Sequence, residues 1–312
     1  MGELTTEVMA ILRCRYGLEI RSVVALVGGY DIWAESWQVD TDRGLLVVRV
    51  DRSISAETSS WLGDVLARAA SAGVPCAALM LTVDGTTAVV ADGATVTVRP
   101  FADGVNLDRN DPTQVAAAGV TLGRLHQALR DEASDRPTPS PWAARFWLGD
   151  LDSPGLRDPS LDAWNEGFVS GEMGDFSMGV VHGDFWADNI VWGNDRVVAV
   201  IDWSEARLDS LARELAWATW EFGHDEAGRL LDIDRVVTFL GGYSNAAGRW
   251  EPGLEDVFIP LMRLELRLNA RYSLADAEDV EYNAGLQQAF VRLRSQSTVP
   301  LFGPASSSGR VG

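Results

Sequence analysis

Apolar residues at Leu4, Val8, Ile11 and Leu12 recur at the spacing of one helical face, which predicts a helix over residues 4–16. Beyond it the period shortens. Segments 22–28, 32–40 and 44–51 alternate or run apolar with β-branched residues, and Gly28-Gly29 and Asp42-Arg43-Gly44 stand between them as turn signals, so an antiparallel meander is expected. Ser55 followed by Glu57 to Ala72 predicts a capped helix that stops before Gly73-Val74-Pro75. Two or three further strands follow, at 78–83, 86–91 and 95–99, the first two joined by Asp84-Gly85. The segment from Arg99 through Pro100, Phe101, Ala102 and Asp103 to Gly104 then breaks the pattern.

From about residue 112 the spacing is helical again, with Val120, Leu122, Leu125 and Leu129 on the stretch Val115–Leu129. A Pro-rich and Ser-rich loop is expected over 137–141, a helix over 159–173, and short strands and turns over 180–202. Four helical stretches remain, near 209–222, 232–242, 253–272 and 278–295, before a tail at 301–312 whose Ser306-Ser307-Ser308-Gly309 predicts disorder. These elements describe an α+β chain in two parts. A small antiparallel-sheet domain spans residues 1–100, and a larger, mainly helical one spans 105–300, with 101–104 between them. Ligands favour the cleft between such domains.

At 312 residues, 46% of them apolar, the chain has material for a sizeable core. Its formal charge of -19 disfavours a nucleic-acid partner. No stretch reaches the length of a membrane span, and Glu3 and Glu7 break up the first turn where a leader would need an apolar run. The two cysteines, Cys14 and Cys76, have neither a disulfide pattern nor metal-ligand spacing. A cytoplasmic protein without a membrane partner is the expectation, as monomer or homodimer. All 26 basic residues are Arg, so no Lys exists to hold a phosphate.

The chemistry concentrates in the run from Val181 to Trp192, which contains His182, Gly183, Asp184, Asp188 and Asn189, and in Val200-Ile201-Asp202-Trp203 shortly after. Transfer of a phosphoryl group needs a carboxylate to orient or deprotonate the attacking hydroxyl, metal ions on the phosphate oxygens, and cations to absorb developing charge. Asp184 is the candidate base. Asn189 offers a neutral carbonyl oxygen and Asp202, past the apolar strand 197–201, a carboxylate, so together they are candidate ligands for Mg2+. His182 precedes the base by two residues on an apolar strand, where a buried role bracing the loop fits better than a catalytic one. Asp188 reads as a substrate contact or a solvated loop residue, and Trp186, Trp192 and Trp203 as packing.

His-Gly-Asp at 182–184, Asn189 and Ile201-Asp202-Trp203 together resemble the aminoglycoside phosphotransferase and choline kinase family, which includes macrolide kinases and type II homoserine kinases. The helix ending Leu122-Gly123-Arg124-Leu125-His126 is similar to the one that precedes that family's catalytic loop, and Asp188 is closer to its homoserine kinase branch. The resemblance implies a protein-kinase-like two-lobed fold, a nucleoside triphosphate with Mg2+ in the cleft, and transfer to a small-molecule hydroxyl. It implies that Arg49 occupies the phosphate-contacting position of the third strand, with Glu57 as its ion-pair partner. Gly28 and Gly29 would form the phosphate-covering turn. Arg99 to Gly104, including Phe101, would be the interlobe hinge, whose backbone reads the purine. Because backbone atoms do that reading, ATP and GTP both remain open as donor. Glu214 stands where the family has Asp, in a structural role.

An antibiotic is the leading acceptor. The acidic chain favours a cationic one, held by carboxylates among Asp150, Asp152, Glu221 and Asp225. Arg263, Arg267 and Arg271, at helical i, i+4 spacing, would instead suit an anionic or nucleoside substrate if they faced the cleft, or form a solvated helix face. A metabolic kinase for homoserine or choline is one alternative. A nucleotide-binding pseudokinase without catalysis, prompted by the missing Lys, is another.

Overall fold

The first helix starts where Thr5 caps it, its hydroxyl accepting a hydrogen bond from Val8 N at 3.3 Å. This helix, α1 (Thr6–Cys14), buries Val8 and Leu12 against a five-stranded antiparallel sheet. The strands are β1 (Ile20–Ala25), β2 (Ala34–Thr41), β3 (Gly44–Asp51), β4 (Ala88–Ala91) and β5 (Ala94–Pro100), in the order β1-β2-β3-β5-β4. The computed structural model describes residues 4–26, 34–130, 154–172, 176–248, 250–275, 280–295 and 299–302.

Strand alternation decides what each face of this sheet carries. Leu46, Val48 and Val50 of β3 and Val96 and Val98 of β5 point to α1, joining Trp37 and Val39 in one apolar core. The intervening residues Arg49 and Asp51 of β3 and Thr95, Thr97 and Arg99 of β5 therefore share the opposite face, where they line a cavity. Helix α2 (Ala56–Ser71), capped by Ser55, adjoins that face. Its Val65, Leu66 and Ala69 are nevertheless buried in the core of the helical part and not in the sheet's.

The strand expected at 78–83 is absent. Thr82 N donates to Thr86 O and Val83 N to Arg15 O, both within 2.8 Å, so a local turn and the end of α1 take the backbone donors that a ladder would use. Leu81 and Val83 are left exposed.

In the second part, the two-residue strand β6 (Val105–Asn106) pairs with β8 (Ile190–Gly193), which pairs in turn with β9 (Arg196–Val200). β7 (Met178–Val181) pairs with β10 (Arg207–Ser210). Around these hairpins pack α3 (Pro112–Leu129), α4 (Pro159–Val169), α5 (Leu211–Gly223), α6 (Ile233–Ala247), α7 (Leu254–Ala275) and α8 (Val280–Arg292). α3 and α6 lie backbone to backbone: a side chain at Gly119 would meet Phe239 O, and one at Gly242 would meet Ala116 O. The tail expected from 301 begins inside a short helix, α9 (Val299–Phe302), whose Phe302 ring packs edge-on against Trp250 and Phe258. The Pro-rich segment 137–141 and residues 303–312 lie outside the described residues. Among the described residues no helix is long and apolar enough to cross a membrane.

Arg263 and Arg267 of the α7 stripe neither face a cleft nor form a solvated face. Arg263 and Arg267 are buried, and each reaches a carboxylate of α4: Arg263 Nη2 donates to Asp158 Oδ2 and Arg267 Nη1 to Asp162 Oδ1, both at 2.6 Å. The side chain of Arg271 lies outside the described residues. Asp158 also caps α4 by accepting from Leu161 N, and accepts from Arg294 Nη2 at 2.7 Å. Burial raises its carboxyl's pKa, but the bonds to Arg263 and Arg294 win and hold it well below the usual carboxylate range. Removing one member of a buried pair strands the other. Asp158→Ala is therefore expected to cost about 3–5 kcal/mol, read as a lowered urea midpoint with unchanged slope. An unchanged midpoint would mean that the pair adds nothing to stability.

Candidate active site

β7 delivers His182 into the interior, where it is fully buried. Its Nε2 lies 2.8 Å from Ile201 O, an acceptor, so the proton sits on Nε2 and Nδ1 accepts from Asp184 N at 3.2 Å. Burial lowers the imidazole's pKa and keeps it neutral, which suits this arrangement. The ring also stands edge-on to Trp203 at 4.7 Å. His182 thus braces the loop of Asp184 against the strand end that leads to Asp202.

Gly183 turns the chain with φ of +84°, in the left-handed region, and its N donates to Glu214 Oε1 at 2.6 Å. The other oxygen of Glu214 is 2.8 Å from His126 Nε2, and His126 Nδ1 is 2.9 Å from Tyr243 OH. One buried chain of hydrogen bonds therefore runs from α6 through α3 and α5 to the loop. The larger Glu at position 214 fills its place by bonding His126 and Gly183 at once.

Asp184 follows. Asn189, in the one-turn 3-10 segment Ala187–Asn189, donates from Nδ2 to Asp184 Oδ2 at 2.8 Å and to Asp184 O at 2.9 Å. Both bonds use the amide nitrogen, so its Oδ1 carbonyl is the atom left to accept from, or coordinate, something else. Ile201 N donates to Asn189 O at 2.8 Å, which ties this turn to the end of β9. Burial, and after it the charge of Asp202, push the Asp184 carboxyl up to about 7.

Asp202 sits just past β9 with φ of +66°, a left-handed conformation that a non-glycine residue adopts at a cost. Burial raises its carboxyl, but the guanidiniums of Arg49 and Arg99 outweigh that and hold it below the ordinary value. Arg49 Nη1 is 3.6 Å from Asp202 Oδ2, and Arg49 Nε donates to Asp51 Oδ2 at 3.1 Å. The structure thus brings Asp184, Asn189, Asp202 and Arg49 together across the cleft.

Other expected site residues are placed differently. Glu57 is exposed on the first turn of α2, and among the described residues Asp51 and Asp202 are carboxylates that pair with Arg49. Asp51 lies two residues along the same strand, hence on the same face, a signal present in the sequence. Phe101 leaves the sheet with its N bonded to Leu45 O at 3.0 Å. Arg99, however, is still within β5, and its side chain enters the cavity beside Arg49 and Asp202 instead of lying in a connecting segment. Gly28 and Gly29, with Asp150 and Asp152, lie outside the described residues. Asp188 accepts from Asn106 Nδ2 at 3.3 Å. Glu221 lies seven residues, two helical turns, beyond Glu214 on α5, and so on the same face. Burial, and then the charge of Asp184, raise its carboxyl to about 8.

The candidate donor set for a metal would be one carboxylate, Asp202, and one amide oxygen, Asn189 Oδ1. Among the described residues no three His, Cys, Asp or Glu side chains converge as a metal-binding group. Such a sparse set fits Mg2+, which keeps several waters and takes further oxygens from phosphates, better than an ion that needs a full protein cage.

A model of the APH phosphotransferase enzyme family matches residues 31–249. The chain belongs to this phosphotransferase enzyme family. Its relatives include the homoserine kinase of Methylobacillus glycogenes, 28% identical over an alignment 218 residues long that covers 66% of this chain and 65% of that protein. The homoserine kinase of Rhodopseudomonas palustris (strain BisA53) is 24% identical over 71% of this chain and 69% of its own length. Among solved structures, the amicoumacin kinase hAmiN, in complex with AMP-PNP and Ca2+, superposes with a TM-score of 0.68 at 16% identity, covering 94% of each chain. The spectinomycin phosphotransferase APH(9)-Ia, in complex with ADP, gives a TM-score of 0.57 at 14% identity, covering 96% of this chain and 97% of its own. At these identities the likeness is one of fold. The family and the kinase-like α+β fold expected from the His182 to Asp202 segments are borne out.

Proposed function

We propose that this member of the APH family is a nucleoside triphosphate-dependent O-phosphotransferase that phosphorylates a hydroxyl group of a small molecule. The observation that carries the reading is the convergence of Asp184, Asn189 and Asp202, with Arg49 beside them. In this reading Asp184 is the catalytic base. A carboxyl that titrates near neutrality can take the acceptor's proton as the new O–P bond forms and the bond to the leaving diphosphate breaks. The bond from Asn189 Nδ2 fixes which way Asp184 points, and His182 and Glu214 hold the loop that carries it. Asn189 Oδ1 and Asp202 would hold Mg2+. When bound, the ion neutralises charge on the phosphate oxygens. Arg49 supplies the cation that Lys would otherwise provide, with a planar fork that grips two oxygens at once. The donor is ATP or GTP.

An antibiotic is the proposed acceptor, in keeping with the amicoumacin and spectinomycin kinases that share the fold. The sequence relatives support a second reading, phosphorylation of homoserine. A phosphate-transfer screen read by mass spectrometry tests both. ATP and GTP are offered separately, with Mg2+, alongside aminoglycosides, macrolides, peptide and nucleoside antibiotics, and homoserine. A mass gain of one phosphate on an antibiotic supports the first reading and on homoserine the second. Equally slow nucleotide consumption by wild type and Asp184→Ala with every acceptor would leave a nucleotide-binding pseudokinase in place of an enzyme.

A further inference from the structure

The cavity between the sheet and α2 contains a charge that the reading above leaves without a partner. Arg99 lines it with Arg49, Asp51 and Asp202. In the β3–β5 register Arg99 stands opposite Val47, and Arg49 opposite Thr97, so the two arginines are diagonal neighbours on one face. Arg49 is engaged by Asp51 and Asp202. Asp51 is engaged again by Ser53 N, Ser53 Oγ and Ile54 N, all on Oδ1. Among the described residues the Arg99 side chain makes no hydrogen bond and no ion pair, its backbone being paired in the sheet. Burial and the neighbouring charge of Arg49 both press on it, lowering its pKa, and Asp202 is the carboxylate that relieves it from a distance.

Arg99 is half-buried in the cavity wall, so its unbonded donors border space that an anion can enter. We infer that Arg99 is a second phosphate-binding cation, and that Arg49 and Arg99 together form the anion site for the polyphosphate of the nucleotide. The inference rests on the kinase reading but changes the role of Arg99 from a hinge residue near the purine to a side chain on the phosphates. In a chain without Lys, two adjacent forks take the place of one flexible ammonium.

Equilibrium titrations without divalent metal test this, with inorganic tripolyphosphate, ATP, GTP, adenosine and guanosine as probes for wild type, Arg99→Met and Arg99→Lys. Arg99→Met keeps apolar bulk and is expected to weaken tripolyphosphate and nucleoside triphosphate binding about 10- to 100-fold, the usual loss for a charge-assisted pair. Arg99→Lys should recover part of it, nucleoside binding should hold, and the ligand-free Arg99→Met protein should melt no lower than wild type. Tripolyphosphate affinity unchanged in Arg99→Met, or nucleoside and triphosphate affinities falling equally, would overturn the inference. If wild type bound tripolyphosphate through Arg99 but no nucleotide, the anion site would stand and the kinase reading would fall. If wild type bound no phosphate compound, both would fall.

Discussion

Asp184→Asn is expected to slow phosphoryl transfer by roughly 10²–10⁴-fold, the range of a lost general base, with nucleotide affinity near that of wild type. The substitution keeps the side chain's size and an oxygen that can accept from Asn189 Nδ2, so the loop has no steric reason to move. Its effect on stability has a definite sign. Burial, with Asp202 as the second cause, raises the carboxyl from 3.8 to about 7 in the metal-free protein. The folded state thus holds a proton between pH 3.8 and about 7 that the unfolded chain has released. Stability from this group therefore falls as pH rises through that window, and the full cost is present above it. Metal-free Asp184→Asn should melt higher than wild type at about pH 8, with the gap closing by about pH 4. A rate loss below tenfold would exclude Asp184 as the base, and a gap independent of pH would exclude its ionisation as the cause of the lower melting.

Gly183→Ala should damage both rate and stability. At φ of +84° a Cβ is already strained, and here it would also meet the carbonyl oxygen of Glu205 and a guanidinium nitrogen of Arg207. Neither can give way easily, because Arg207 Nε donates to Asp209 at 3.0 Å and its Nη1 donates to Glu205 O at 3.2 Å. The backbone must shift instead, which breaks the bond from Gly183 N to Glu214 and moves Asp184 with it. A loss of about 2–4 kcal/mol in urea unfolding is expected, from strain plus overpacking. The turnover loss should match that of Asp184→Asn even at temperatures where the variant stays folded. Near-wild-type turnover would show that the loop tolerates the shift and that the Glu214 brace does not position the base.

Much of this was legible from the chain where one periodicity governed one element. The alternation in β2 and β3, the Ser55 cap of α2 and the stripe of α3 depend on neighbours a few residues away. The failures came where the deciding partner is remote. Arg263 and Arg267 lie on one helical face, as their spacing requires, yet what that face meets is α4, about a hundred residues earlier. Asp158 and Asp162 have the same i, i+4 interval, and matching the two intervals would have paired them. His126 and Glu214 are joined only by the fold, so neither spacing nor composition links them to Gly183. The segment 78–83 looked like a strand because its composition is apolar, but the threonines flanking Asp84-Gly85 close a local turn: Thr82 Oγ1 and Thr86 Oγ1 are 2.9 Å apart.

The division of the apolar interior has a consequence for where the molecule opens. α2 shares its buried contacts with the helical part, while the sheet and α1 form a separate core. The apolar interior therefore divides between the sheet and α2 and not between residues 100 and 105, with polar bonds such as Thr87 Oγ1 to Ser59 O and Thr95 Oγ1 to Ile54 O crossing the seam. Parting along that seam exposes Arg49 and Arg99 to solvent while Asp184, Asn189 and Asp202 stay with the helical part. Arg49 and Arg99 thus ride on one apolar core, and Asp184, Asn189 and Asp202 on the other.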